Sequence, residues 1–287
     1  MNKKRLLLVL TLLLGLFLLS GCTVPTDENG NIQLIYSTTT FKEMLDEGFF
    51  SAILVYPLSQ AINLLTPAVG VGLAIALVTL ILNAIILVCT FKSNVSMQRM
   101  QAIQPEVARI EKKYEGKDDD NSKMRKAQEL QSLYTKNNIN PFGSLVATFI
   151  QFPVLIAMYN AIRRSDAVTN GVFMGMHLST TPLQAIKAGT WVGLGIYVMM
   201  LLLQILSMKI PQLVSERRAR AEADKHHKTY RKPETPNNFM MTYGMVIFIG
   251  IIMISWPTGL SLYYCIYSLV NIIKTIAIDQ LTHREGK

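Results

Sequence analysis

Charge is what this sequence has least of. Asp, Glu, Lys and Arg make up 16% of its 287 residues, against about 25% in an ordinary soluble domain. Hydrophobic residues make up 50%, and the mean hydropathy is +0.30. A chain so short of polar groups is poorly suited to cover a soluble surface. That disfavours a soluble enzyme and a disordered protein alike. Cysteine is scarce too: three residues cannot build a disulfide framework, which disfavours a small secreted domain. HExxH and GxSxG motifs are missing, as is any acidic pair in an apolar run. No catalytic constellation, metal site or cofactor is therefore expected. The charge that is present is unbalanced, with 28 Lys+Arg against 19 Asp+Glu and a net charge of +9. A basic but charge-poor chain is either a nucleic-acid binder or a membrane protein with its charges in the loops.

The placement of the charges decides between these. They are absent from the 44 residues between Glu47 and Lys92, and from the 26 of Asn137–Ile162. They are absent again from the 21 of Ala188–Met208 and the 37 of Asn237–Ile273. A bilayer-spanning helix needs about 20 mostly apolar residues. The second and third runs each fit one span. The fourth fits two, with Trp256-Pro257-Thr258-Gly259 as the turn between them. The first fits one, near Val69–Phe91, after a less regular stretch containing Pro57 and Pro67. The expected fold is an all-α polytopic membrane protein. Its five transmembrane helices fall in the regions 59–91, 137–162, 188–208, 237–256 and 259–280. Ionisable residues are expected in none of these spans, which removes the usual marks of an ion-coupled transporter. A polytopic transporter or channel would need a coupling-ion site or inverted repeats, and neither is visible.

The N-terminus reads differently. Met1-Asn2-Lys3-Lys4-Arg5 is a basic start, and Leu6–Leu19 is an apolar stretch of signal-peptide rather than spanning length. It ends in Leu19-Ser20-Gly21-Cys22. Small residues before a cysteine fit a bacterial lipoprotein signal. Residues 1–21 are then removed, and Cys22 carries a diacylglycerol and an N-acyl lipid. Cys22 and the segment 22–58 are placed outside the cell. Five crossings from there put 92–136, 209–236 and the tail 281–287 in the cytoplasm, and 163–187 outside. The inner segments, counted from Lys92, Lys209 and Lys274, carry 10, 8 and 3 basic residues, and the outer ones carry 4. That is a strong positive-inside bias, and it agrees with the placement of Cys22.

The inner segments have patterns of their own. Val95, Met97, Met100, Ile103, Val107, Ile110 and Tyr114 recur at helical steps. Gly116–Asn121 is a turn, and Ser122 to about Asn137 is a second amphipathic helix. A cytoplasmic helical hairpin between the first two spans is expected. The segment 209–236 is basic, with Arg217, Arg218, Arg220, Lys225 and Lys228. It suits either anionic lipid or RNA and acidic protein surfaces, such as the ribosome. At membrane depth the remaining polarity is neutral, at Asn83, Gln151, Gln204, Tyr263 and Tyr264 among others. Such residues usually link helices by hydrogen bonds, and together they could instead line a hydrated groove.

Three motifs carry a resemblance. Asn140-Pro141-Phe142-Gly143 with Phe149-Ile150-Gln151-Phe152-Pro153 is one. Met100-Gln101-Ala102-Ile103-Gln104-Pro105-Glu106 is the second, and Trp256-Pro257-Thr258-Gly259-Leu260-Ser261-Leu262-Tyr263-Tyr264 is the third. In order and spacing they resemble the YidC/Oxa/Alb membrane protein insertases over roughly residues 50–280. The lipoprotein signal is similar to the Gram-positive branch. The resemblance implies a monomeric insertase and chaperone, not an enzyme, in the bacterial cell membrane. Nascent membrane proteins are its clients, and it works alone or with the Sec translocon. A hydrated groove holds the client's polar segment while its apolar span enters lipid. Gln151 and Tyr264 match polar groove residues, while Gln204 is placed there by membrane depth alone. Asn83 stands 22 residues before Pro105, where the family carries a groove arginine. A regulatory paralogue lacking that arginine is the alternative this keeps open.

Overall fold

The computed structural model describes residues 24–225 and 239–285. Cys22 and Lys228 lie outside them. The described chain is mostly helical. Helix α1 (Phe41–Glu47) starts at a capping box, with the Thr40 hydroxyl accepting from Glu43 N and the Glu43 carboxylate accepting from Thr40 N. A single π-helical turn (Ser51–Val55) then leads without a break into α2 (Tyr56–Val69). The stretch expected to be irregular is therefore helical. Pro57 follows directly on the π-helical turn, so the bond that its missing N–H would make is lost where the winding changes. Gly70, at φ +80°, is all that separates α2 from α3 (Val71–Ala102), and glycine takes that backbone without a Cβ penalty.

Helix α3 runs well past the charge-free stretch, and the break comes at Ile103. There Pro105 opens α4 (Gln104–Lys113). A turn through Gly116, at φ +74°, leads to α5 (Asp120–Lys136), capped by Asp119 accepting from Ser122 N at 2.9 Å. Helices α4 and α5 pack on each other through Ile103, Val107 and Ile139, with Met100, Leu130, Leu133 and Tyr134 around them. The pattern read as one helix from Val95 to Tyr114 is split at Ile103, and its first part belongs to α3. Lys113 and Tyr114 both donate to Glu129 across the α4–α5 pair, at 2.6 and 2.8 Å. The hydrogen bond from Lys113 is the main reason that the Glu129 carboxyl lies below its ordinary range, followed by that from Tyr114.

Next come α6 (Pro141–Arg164), the short α7 (Asp166–Asn170), a β-hairpin of Val172–Phe173 and Met176–His177, and α8 (Pro182–Lys187). Helix α9 (Trp191–Lys225) continues far beyond Met208, so the first part of the basic inner segment is an extension of the third expected span. Helices α10 (Phe239–Met253) and α11 (Thr258–Glu285) flank the Trp256–Gly259 turn.

Among the described residues, four helices are long and apolar enough to cross a membrane: Ser51–Val69, Val71–Met100, Trp191–Arg217 and Thr258–Gln280. They are not the five of the sequence reading. Ser51–Val69 is an addition, while the apolar α6 and α10 are not in the set. One expectation needs correcting. The fifth expected span, 259–280, and the candidate span Thr258–Gln280 both contain Lys274 and Asp279, since the charge-free run stops at Ile273 while the span does not.

The chain forms two compact units. Among the described residues, one comprises 24–83, 149–201 and 250–267, and the other 84–148, 202–225, 239–249 and 268–285. The core of the first includes Ile35, Met44, Phe50, Ala52, Val55, Ile156, Ala157 and Ala161.

Candidate functional site

In the first unit, α6 and α11 meet at an aromatic cluster. The motif at the start of α11 puts Tyr263, Tyr264 and Tyr267 at one- to four-residue spacing, so the three rings gather on one side of the helix. Tyr263 stacks on Tyr267 with centroids 6.1 Å apart and meets Tyr264 edge-on at 5.3 Å. Tyr264 meets Tyr267 edge-on at 6.1 Å. Gln151 on α6 points its Nε2 at the Tyr263 hydroxyl from 3.4 Å, the long end of a hydrogen bond. Tyr263 is 0% exposed and Tyr264 9%. The structure places Gln151, Tyr263 and Tyr264 side by side, with Tyr263 interior.

The turn before this cluster is fixed by the loop 178–180. Thr180 O accepts from both Thr258 N and Thr258 Oγ1 at 2.8 Å, and Leu178 O accepts from Gly259 N at 2.9 Å. A Cβ on Gly259 would sit 3.0 Å from Ile162, so the absence of a side chain lets the start of α11 lie close to α6. Trp256 packs on Tyr159 with centroids 4.6 Å apart. Arg163 donates to the Tyr159 hydroxyl at 2.7 Å.

Asn83 lies near the middle of α3 and is 8% exposed. Its Nδ2 donates to Thr79 O, one turn back on the same helix, at 2.8 Å. Gln204 belongs to the second unit, where its Oε1 accepts from Ser268 Oγ at 3.0 Å. Of the basic candidates, Arg217, Arg218, Arg220 and Lys225 fall on the last turns of α9. Arg220 pairs with Glu216 at 3.0 Å, four residues back. Lys228 and the lipidation candidate Cys22 remain outside the described residues. Among the described residues no group of three or more His, Cys, Asp or Glu could hold a metal ion.

The sequence reading missed the best-connected polar cluster of the first unit. Arg164, the last residue of α6, is 1% exposed. Its two Nη atoms clamp the Glu47 carboxylate, and its Nε donates to Gln33 O at 2.9 Å. Beside it, Asn63 on α2 donates to Ile35 O at 2.7 Å and accepts from Ser165 Oγ at 2.6 Å and Ala167 N at 3.1 Å. Together they tie residues 33–47 to the end of α6. Arg164 had looked like one of few charges in a short polar loop, and nothing local in the sequence announces its partner Glu47.

A comparison with protein families finds that residues 64–285 match the model of the 60Kd inner membrane protein. The chain belongs to that family. The resemblance drawn from the three motifs is thereby borne out for more than three-quarters of the sequence. Among curated relatives, the membrane protein insertase YidC of Oceanobacillus iheyensis is 25% identical over 283 residues, 97% of each chain. Membrane protein insertase YidC 2 of Bacillus anthracis is 30% identical over 233 residues, 80% of this chain and 81% of its own. The membrane protein insertase YidC of Mycoplasmopsis pulmonis is 28% identical over 90% of this chain, which spans only 42% of that protein. Family membership and the apolar helices make this a multi-pass cell membrane protein.

Proposed function

We propose that this chain is a membrane protein insertase and chaperone. It takes newly made membrane proteins and moves their apolar spans into lipid while a hydrated groove shelters the polar segment. The observation that carries this reading is a set of neutral polar side chains, Asn83, Gln151 and Tyr264, on apolar helices of a family whose relatives are named as insertases. A polar group stripped of partners in hydrocarbon costs several kcal/mol. Water reaching part-way into the bilayer shortens the stretch over which that cost applies. Burial of the client's own apolar helix supplies the driving force, at about 25 cal/mol per Å². No bond is made or broken, so the protein is not an enzyme.

The membrane arrangement belongs to the same proposal. Five spans, within α3, α6, α9, α10 and α11, place Cys22 outside with its lipid, and place the α4–α5 pair and the tail in the cytoplasm. Helix α2 lies along the outer interface. Gly70 alone joins it to α3, and one residue is too short a connection for two antiparallel crossings. Clients and membrane lipid are the partners. The Sec translocon is a further one, the chain acting as a monomer alone or beside it. The basic end of α9 and the segment after it reach lipid headgroups or the ribosome. Reversing Arg217 and Arg220 to glutamate is expected to weaken cosedimentation with ribosomes, and unchanged cosedimentation would remove the ribosome from that surface.

The main test uses the purified full-length chain in liposomes. A client with one apolar span, synthesised in their presence, is expected to become protease-protected well above the level in empty liposomes. Equal protection in both rules out active insertion. A flux of small solutes without client protection would favour the channel reading.

A further inference from the structure

Helix α3 contains the same short device twice. Thr79 and Asn83 are followed eleven residues later by Thr90 and Asn94. Eleven residues is close to three helical turns. In each copy the threonine hydroxyl donates to the carbonyl four residues back, Thr79 to Ile75 and Thr90 to Ile86, both at 2.6 Å. In each copy the asparagine Nδ2 donates to the threonine carbonyl, at 2.8 Å for Asn83 and 2.9 Å for Asn94. A carbonyl only accepts, so it is the nitrogen that must face it, and the amide orientation follows. Asn94 goes further. Its Nδ2 also donates to Thr90 Oγ1 at 2.9 Å, which engages both of its N–H groups.

That leaves Asn94 Oδ1, with no hydrogen-bond partner among the described residues, on a side chain only 3% exposed. It is not among the polar atoms that the structure seals off without a partner, so it still borders accessible space. Back-bonding of an asparagine to its own helix is a common local habit. Asn63 shows what a purely structural buried asparagine looks like here: its Oδ1 takes two donors. Asn94 has the fixed nitrogen without the satisfied oxygen. A buried acceptor normally finds a donor, and none of the described residues supplies one here.

We infer that Asn94 is a further client-contacting residue of the insertase, a fixed acceptor that favours client segments bringing N–H donors, amide or ammonium, over segments bringing carboxylates. Asn83 carries a weaker copy of the same device, with one N–H still uncommitted. The inference rests on the insertase reading. It adds the chemical class of the client segment that this end of α3 takes. Asn94 stands two residues after Lys92, where the charge-free run ends. A client entering from the cytoplasmic side therefore meets it early. An ammonium or amide completes the Oδ1. A carboxylate has no proton to give and finds both N–H groups of Asn94 already used.

The test uses the full-length protein in liposomes of neutral zwitterionic lipid, without a membrane potential. Three single-span clients differ only in two tail residues, both Lys, both Asn or both Asp. The Lys tail is expected to insert about tenfold better than the Asp tail, the scale of one charge-assisted hydrogen bond, with the Asn tail between them. Asn94→Leu should lower insertion of the Lys tail and narrow the Lys-to-Asp ratio to within about twofold. Asn94→Asp, similar in shape and still an acceptor, should widen it. A purely structural asparagine would lower all three clients together and leave the ratio alone, and that result overturns the inference. So does a wild-type protein that inserts the Lys and Asp tails equally well, although the insertase reading then stands. A wild-type protein that inserts none of the three overturns that reading and this one with it.

Discussion

Replacing Arg164 by leucine should free residues 33–47 from the end of α6 and speed their amide exchange by at least roughly a hundredfold. The guanidinium is 1% exposed and makes three bonds, two to Glu47 and one to Gln33 O. Removing one member of a buried ion pair costs about 3–5 kcal/mol, because the other charge is left without its partner. The Glu47 side chain is 22% exposed, so water takes up part of that cost and the lower end applies. Arg164→Lys keeps the charge but loses both the fork and the Nε bond, and a point charge does not replace a bidentate clamp. It should fall between wild type and leucine. The double variant Glu47→Leu with Arg164→Leu should recover most of the protection, since apolar replacement of a whole buried pair is often neutral. Exchange in Arg164→Leu within threefold of wild type would mean that the Ile35–Ser165 pairing and Asn63 hold the segment unaided.

The sequence showed the helices more clearly than their ends. Charge-free runs locate apolar helices because charge is costly in hydrocarbon, but a helix does not stop where its first charge appears. Helix α9 continues through Glu216 and Arg220, whose i,i+4 pair supports it. Helix α11 likewise continues through Lys274 and Asp279. The proline-containing stretch before Gly70 looked irregular, yet Pro57 falls where the π-helical turn passes into α2 and the helix winds on through it. Pro67 falls in the last turn of α2. The α4–α5 pair was legible only in part: the period in the apolar residues and the turn at Gly116 are local signals, but the period ran on from Val95 and did not show the break at Ile103.

The candidate site was legible in part for the same reason. Tyr263, Tyr264 and Tyr267 sit on one helix at fixed spacing, so their proximity follows from periodicity. The Gln151 contact is visible only through a family motif. Arg164, Glu47 and Asn63 are separated by 16 to 117 residues. No local pattern joins them, and only the folded chain does. The Thr-x-x-x-Asn repeat was present in the sequence all along. What the fold added was which asparagine atom is already used.

Tyr263 separates packing from contact, and the two substitutions that test it should part company. Tyr263→Phe keeps the rings against Tyr264 and Tyr267 and loses only the long contact to Gln151, at 3.4 Å. A hydrogen bond of that kind is worth about 1 kcal/mol at most, so the variant should insert clients within twofold of wild type. Tyr263→Ala removes a fully buried ring and leaves a cavity that the aromatic cluster cannot refill. The cost for such a deletion is about 3–5 kcal/mol, or a drop in thermal midpoint in detergent of roughly 10 °C. Loss of insertion in the alanine variant should then track loss of folded protein, rather than any change in client preference. A phenylalanine variant that keeps its thermal midpoint but loses insertion tenfold would reverse the assignment. Its hydroxyl would then meet clients in a state where α6 and α11 have parted, and Gln151 would be the residue that holds it until they do.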